Sequence, residues 1–102
     1  MTKNILFIMC DQLRYDYLGC AGHPTIKTPN IDILASRGML FENSYCNAPL
    51  CGPSRASFYT GRYMSSHGVM ANDDPIKVDE ITLGDYIREL GGEAHVVGKT
   101  EG

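Results

Sequence analysis

Asn4-Ile5-Leu6-Phe7-Ile8-Met9-Cys10-Asp11-Gln12 opens the chain with an unbroken apolar run closed by a polar pair. A continuous apolar stretch of this length suits a β-strand covered on both faces, as in a mostly parallel α/β sheet. Asp11 and Gln12 then stand at the C-terminal end of that strand, the end at which open α/β sheets bind ligands. The run is far shorter than the roughly 20 residues that cross a bilayer. It lies too close to Met1, and lacks the small-residue cleavage site, to read as a signal peptide. No membrane partner is therefore expected, and the location is expected to be cytoplasmic, or else that of a protein whose export signal lies outside these residues.

Moving outward, residues 19–29 carry Gly19, Gly22, Pro24 and Pro29 and read as loop. A short helix follows. Thr28 is its candidate N-cap, Pro29 suits the first helical position, and Asp32 favours the first turn. Ile31, Leu34 and Ala35 form its apolar stripe, and Gly38 is expected to close it in a left-handed conformation. Residues 39–45 alternate loosely as a second strand, and residues 47–52 are loop. Pro53 starts another helix, with residues 54–59 as its body and Gly61 as its stop. Residues 63–80 read as irregular. Thr82-Leu83-Gly84-Asp85 resembles a capping box with Asp in place of Glu or Gln, and opens a helix through Leu90 that stops at Gly91-Gly92. Residues 94–97 form a third strand and deliver Gly98-Lys99 to another strand end.

The order strand, helix, strand, helix, helix, strand points to a layered α/β fold. The 102 residues suffice for one small domain with a modest core. Three strands make a thin sheet for so apolar a first strand, so more of the fold is expected from elsewhere. A net charge of −3, with no long run of one sign, argues against nucleic acid or an anionic membrane surface as partner. Of the four cysteines, at 10, 20, 46 and 51, no pair has C-x-x-C spacing and no His pair completes a zinc pattern. Cys10, Cys20 and Cys46 read as small buried hydrophobes with reduced thiols.

Cys51 differs from the other three. It precedes a helix start, near the positive end of a helix dipole, where an anion is favoured. Arg55 lies about one turn along and can aim its guanidinium back towards residue 51, and arginine suits forked recognition of a tetrahedral oxyanion. The segment thus reads as an anion site that contains a nucleophile. Three residues separate Cys51 from Arg55. That spacing is too short for the phosphate-cradling loop of protein tyrosine phosphatases.

Cys51-Gly52-Pro53-Ser54-Arg55-Ala56-Ser57-Phe58-Tyr59-Thr60-Gly61-Arg62 resembles the type I sulfatase signature C-x-P-S-R-x-x-x-x-T-G-R at every fixed position. Residues 4–12 resemble that family's opening strand with its first metal ligands. Thr28-Pro29-Asn30-Ile31-Asp32 resembles its T-P-N-L-D segment, and Gly98-Lys99 its G-K element. The resemblance implies the N-terminal part of an alkaline-phosphatase-like α/β/α sandwich with a mostly parallel sheet, residues 1–102 being an incomplete portion of the catalytic domain.

The resemblance also implies the chemistry. Cys51 would be oxidised to formylglycine by a formylglycine-generating enzyme. One hydroxyl of the hydrated aldehyde attacks sulfur, and the other expels sulfate when the hemiacetal collapses. Arg55 would hold the hydrate, Lys99 would contact the sulfate group, and Asn72 resembles a substrate contact of related phosphonate monoester hydrolases. Asp11, Gln12 and residue 51 would face a divalent metal, usually Ca²⁺, with Mg²⁺ or Mn²⁺ as alternatives. Gln12 stands where many members carry a second Asp, and Glu101 where many carry His. The implied substrate is a small sulfate ester, with a phosphonate or phosphodiester as the alternative, and an oligomer is compatible with the sequence. A non-catalytic fragment is the third reading. His67, beside Gly68, is a weaker site candidate and is expected to face solvent. His23 and His95 carry no role, and Phe58, Tyr63 and Met64 are expected to pack.

Overall fold

A computed structural model describes residues 3–100, which divide into two compact units, one up to Ser44 and one from Tyr45 onward. The regular elements among them are a 3₁₀ turn at Gly19–Ala21 and four helices: α1, Pro29–Arg37; α2, Cys51–Thr60; α3, Met64–His67; and α4, Leu83–Glu89. None is long and apolar enough to cross a membrane.

In the first unit, α1 begins and ends where its local signals predict, with Pro29 in the first turn and Gly38 beyond its end. The fastening at its start is less local. The Thr28 hydroxyl donates to Asp32 Oδ1 (2.8 Å) and accepts the Gly19 amide (2.9 Å), while the Cys20 amide also donates to Asp32 Oδ1 (2.8 Å). One carboxylate thereby ties the 3₁₀ turn to α1. The fit is close enough that a Cβ on Gly19 would lie 2.6 Å from Asp32 Oδ2. The Thr28 hydroxyl holds the Asp32 carboxyl below the ordinary aspartate range against the opposing effect of burial, and the Cys20 amide adds to the lowering. Burial, and then the nearby Asp32 carboxylate, push the Cys20 thiol up. Gly38 departs from expectation: its φ of −121° is not left-handed, and its amide closes the helix by donating to the Leu34 carbonyl.

The three expected strands are the main departure. Among the described residues no strand ladder forms. Residues 4–10 run without helix and with their apolar side chains uncovered, Ile5 at 89% and Leu6 at 85% exposure. Residues 39–45 and 94–97 are likewise non-helical and mostly exposed. A strand's main-chain donors and acceptors are satisfied only by a neighbouring strand. These segments carry apolar strand sequences without that neighbour.

The second unit is built round α2, which packs against α3 and α4. Its core is small: Ala48, Ala56 and Val69, with Pro53, plus the polar side chains of Arg55, Ser57, Thr60 and His67. Gly61 ends α2 in the left-handed region (φ 68°), where a residue without Cβ is at no disadvantage. α3 lies within the stretch expected to be irregular; it is a single turn whose N-cap, Tyr63, offers no capping side chain. α4 matches its capping signal: the Thr82 amide donates to Asp85 Oδ2 at 2.8 Å, and Asp85 also pairs with Arg88. Phe58 and Met64 are half-buried, as expected of packing residues, whereas Tyr63 is exposed.

Candidate active site

Helix α2 starts two residues earlier than its proline suggests, so Cys51 occupies the first turn itself rather than preceding it. Leu50 is the N-cap, in an extended conformation, and has no side chain able to accept the first amides. That role passes to a residue twenty positions away: Asn72 Oδ1 accepts the Gly52 amide at 2.8 Å. Pro53 has no amide to satisfy. The Cys51 amide, in the first turn, has no intrahelical acceptor and lies at the positive end of the helix dipole. Cys51 itself is half-buried, so it can be reached from solvent.

Asn72 is presented by a fastened loop. Asp74 Oδ2 accepts the amides of Met70 (2.9 Å) and Ala71 (3.0 Å), and the Asp74 amide donates back to the Ala71 carbonyl. The approach of this loop to α2 requires the glycine. A Cβ on Gly52 would lie 3.0 Å from both Cα and Oδ1 of Asn72. With Oδ1 committed to Gly52, the Nδ2 hydrogens of Asn72 are the ones available to an oxyanion.

Arg55 is buried at 7% exposure, and its Nη1 donates to the Lys99 carbonyl at 2.8 Å. The second unit thus joins three of the expected site residues to α2: Cys51 and Arg55 on the helix, and Asn72 at its first turn. Lys99 is joined through its main chain, and the residue itself is exposed. The rest of the signature helix has structural work. The Thr60 hydroxyl donates to the Ala56 carbonyl (2.7 Å), and Arg62 pairs with Glu80, whose side chain is only 6% exposed.

Asp11 and Gln12 lie in the first unit, at the end of the apolar segment, and both are exposed. Gln12 has φ 54°, the one non-glycine residue with positive φ among those described. Such a backbone is uncommon for a residue with a side chain and marks a place for functional scrutiny. A carboxylate and a side-chain amide oxygen are the donors a hard cation takes, so the donor chemistry fits calcium or magnesium. The number does not suffice, because calcium takes roughly six to eight oxygens. Among the described residues no group of three or more His, Cys, Asp or Glu side chains is placed to hold a metal. Glu101 lies outside the described residues.

Sequence reasoning did not single out two supporting residues, Glu80 and Asp74, and misjudged the setting of a third, His67, which it named only as a weaker candidate. His67 is buried, with 1% exposure, rather than solvent-facing. Glu80 and Asp74 are the partners of Arg62 and of the Asn72 loop. Asn72-Asp73-Asp74-Pro75 carried a turn signal for Asp74. Nothing local announced the other two. His23 Nδ1 accepts the amides of Thr25 and Ile26, and His95 contacts Glu93 on the surface.

The family model described as Sulfatase matches residues 3–102. The arylsulfatase of Clostridium perfringens (strain 13 / Type A) is 40% identical over 100 residues, covering 97% of this chain and 21% of that protein. The steryl-sulfatase of Homo sapiens is 37% identical, covering 94% of this chain and 18% of its own length. Among solved structures, the phosphonate monoester hydrolase of Agrobacterium radiobacter superposes with a TM-score of 0.74 at 38% identity, over 79% of this chain and 16% of that one. The chain spans about a fifth of the length of the curated relatives it matches.

Proposed function

This chain belongs to the sulfatase family, within the alkaline phosphatase superfamily, and from that premise we propose that it is the nucleophile-bearing N-terminal portion of a catalytic domain that hydrolyses a small sulfate ester. The observation that carries the proposal is the build of α2. Residue 51 sits in its first turn, the next amide is pinned by Asn72, and Arg55 is buried on the same helix and tied to Lys99.

In this reading residue 51 carries formylglycine, which supplies a hydrated aldehyde as nucleophile. The half-buried setting of that residue admits substrate while limiting bulk water. Arg55, fixed by its bond to the Lys99 carbonyl, orients residue 51 and contributes a permanent positive charge. The Lys99 ammonium offers a second cation to the sulfate oxygens, and Asn72 Nδ2 donates to one of them. Asp11 and Gln12 would supply oxygen donors to a divalent cation, most simply Ca²⁺; further donors must complete its shell. The setting is proposed to be cytoplasmic, in keeping with four unpaired cysteines.

The test uses the full-length protein expressed with a formylglycine-generating enzyme. The peptide holding residue 51 is expected to lose about 18 Da, unlike the mass gains of ordinary thiol oxidation. Turnover of an aryl sulfate should accompany that loss. An unmodified thiol with no turnover would support the non-catalytic reading instead. Phosphonate monoester hydrolysis is the second reading, favoured by the 38% identity to a solved enzyme of that name and by Gln12 and Asn72. Relative kcat/KM on aryl sulfate and phenyl phosphonate separates the two.

A further inference from the structure

His67 is the largest fully buried side chain of the second unit, and none of the chemistry above uses it. Both of its ring nitrogens are engaged. Nδ1 accepts the Val69 amide at 3.0 Å, and Nε2 lies 2.9 Å from the Ser57 hydroxyl. Because Nδ1 faces an N–H, it must be the unprotonated nitrogen. In the neutral ring the proton is then on Nε2, which donates to Ser57 Oγ. The imidazole is itself held in place: the His67 amide donates to the Tyr63 carbonyl, and Gly68 turns the chain at φ 78° so that Val69 can reach back.

Ser57 lies on α2, six residues after Cys51 and two after Arg55. At 3.6 residues per turn it is rotated by about 200° from Arg55 round the helix axis. Arg55 ties one side of α2 to the Lys99 carbonyl, and Ser57 ties nearly the opposite side to His67. The hydrogen bond from the Gly52 amide to Asn72 Oδ1 holds the end of the helix but leaves its roll about the axis less constrained. Two polar bonds on opposite flanks, one buried and one part-buried, constrain that roll.

We propose that His67 is a positioning residue for the nucleophile: by bridging the Val69 amide and the Ser57 hydroxyl it fixes the roll of α2, and with it the aim of residue 51 and Arg55. The proposal rests on the catalytic reading given above for its consequence, though the bond itself does not.

The test has two readouts. In the full-length, formylglycine-bearing protein, His67→Ala and Ser57→Ala should each lower kcat on aryl sulfate by about 10- to 100-fold, the scale of a nucleophile misplaced by about an ångström. KM should stay within about twofold in both, and kcat is referred to counted active sites, so loss of folded protein alone cannot account for its fall. The double variant should be no slower than the slower single variant, as expected of two ends of one bond. His67→Gln, whose amide can reach the Nε2 position and donate to Ser57, should recover most of kcat. The second readout needs no turnover. In the same protein expressed without the modifying enzyme, the iodoacetamide alkylation rate of Cys51 should change severalfold in His67→Ala and return in His67→Gln. Cys10 in the same molecules, followed by peptide mass spectrometry, should change less than twofold.

If His67→Ala does not fold, Ser57→Ala deletes the same bond and answers the question. An unchanged kcat and an unchanged Cys51 alkylation rate in folded Ser57→Ala would overturn the proposal, as would single effects that multiply in the double variant. A wild-type protein inactive on every ester would defeat the catalytic reading alone, and the alkylation rates would still decide the role of His67.

Discussion

Gly52 has a clear physical reason to be glycine. Its amide is bonded to Asn72, and the space a Cβ would take is already filled by that residue. A contact of 3.0 Å is tight enough that the neighbour must give by a few tenths of an ångström, and that neighbour is partly main chain. Gly52→Ala is therefore expected to push Asn72 away, weaken the hydrogen bond from the residue 52 amide to Asn72 Oδ1 and lower kcat about 10-fold or more in the full-length protein, since small displacements near a nucleophile are costly. Steady-state kinetics checks this, and retention of full kcat would show that Asn72 does not act through Gly52. The same contact explains why Asn72 was visible in the sequence only as a candidate substrate contact. Its acceptor oxygen serves the helix, which depends on a spacing of twenty residues that no local pattern reports. His67 makes the point more sharply. A histidine beside glycine reads as a loop residue until Ser57 and the Val69 amide are seen on either side of it.

Among the elements, α1 offers a pH signature. Its Asp32 carboxyl is held below the ordinary aspartate range chiefly by the Thr28 hydroxyl, with the Cys20 amide assisting. A depressed folded-state value means that the carboxylate stabilises the fold at all pH above the unfolded value. That contribution is lost as pH falls through the folded value. The stability difference between the wild-type protein and Asp32→Asn should thus be constant above about pH 5 and shrink below about pH 4. Denaturant midpoints across that range test it; a gap that widens in acid would contradict the assignment. α1 and α4 were legible in the sequence because their starts are local, Thr28-Pro29 in one and Thr82 with Asp85 in the other. α2 was misplaced at its start because its cap comes from Asn72. α3 has no capping side chain to read. The strand-like runs were legible as apolar segments, but their pairing depends on partners that are not found among the described residues.

At the scale of the molecule, the chain carries the proposed nucleophile position, the arginine proposed to orient it, a candidate sulfate-binding lysine and two candidate oxygen donors. Its relatives are about five times longer. A polypeptide limited to these 102 residues is expected to show no turnover of aryl sulfate and no tight calcium binding, because two candidate donors fall well below roughly six to eight. An aryl sulfate assay and calcium titration calorimetry check both parts. Turnover by that polypeptide would mean that the site is complete without further ligands.

The core of the second unit has a thermodynamic consequence. Ala48, Ala56 and Val69 are buried there alongside Arg55, Ser57, Thr60 and His67. Hydrating apolar surface on unfolding raises the heat capacity, and hydrating polar surface lowers it. The polar side chains in that core reduce the heat-capacity increment that its apolar surface contributes. The unfolding enthalpy of this unit should therefore change less steeply with temperature than it would with a wholly apolar core of the same size, and the helix that carries residue 51 should lose its hold more gradually on heating or cooling.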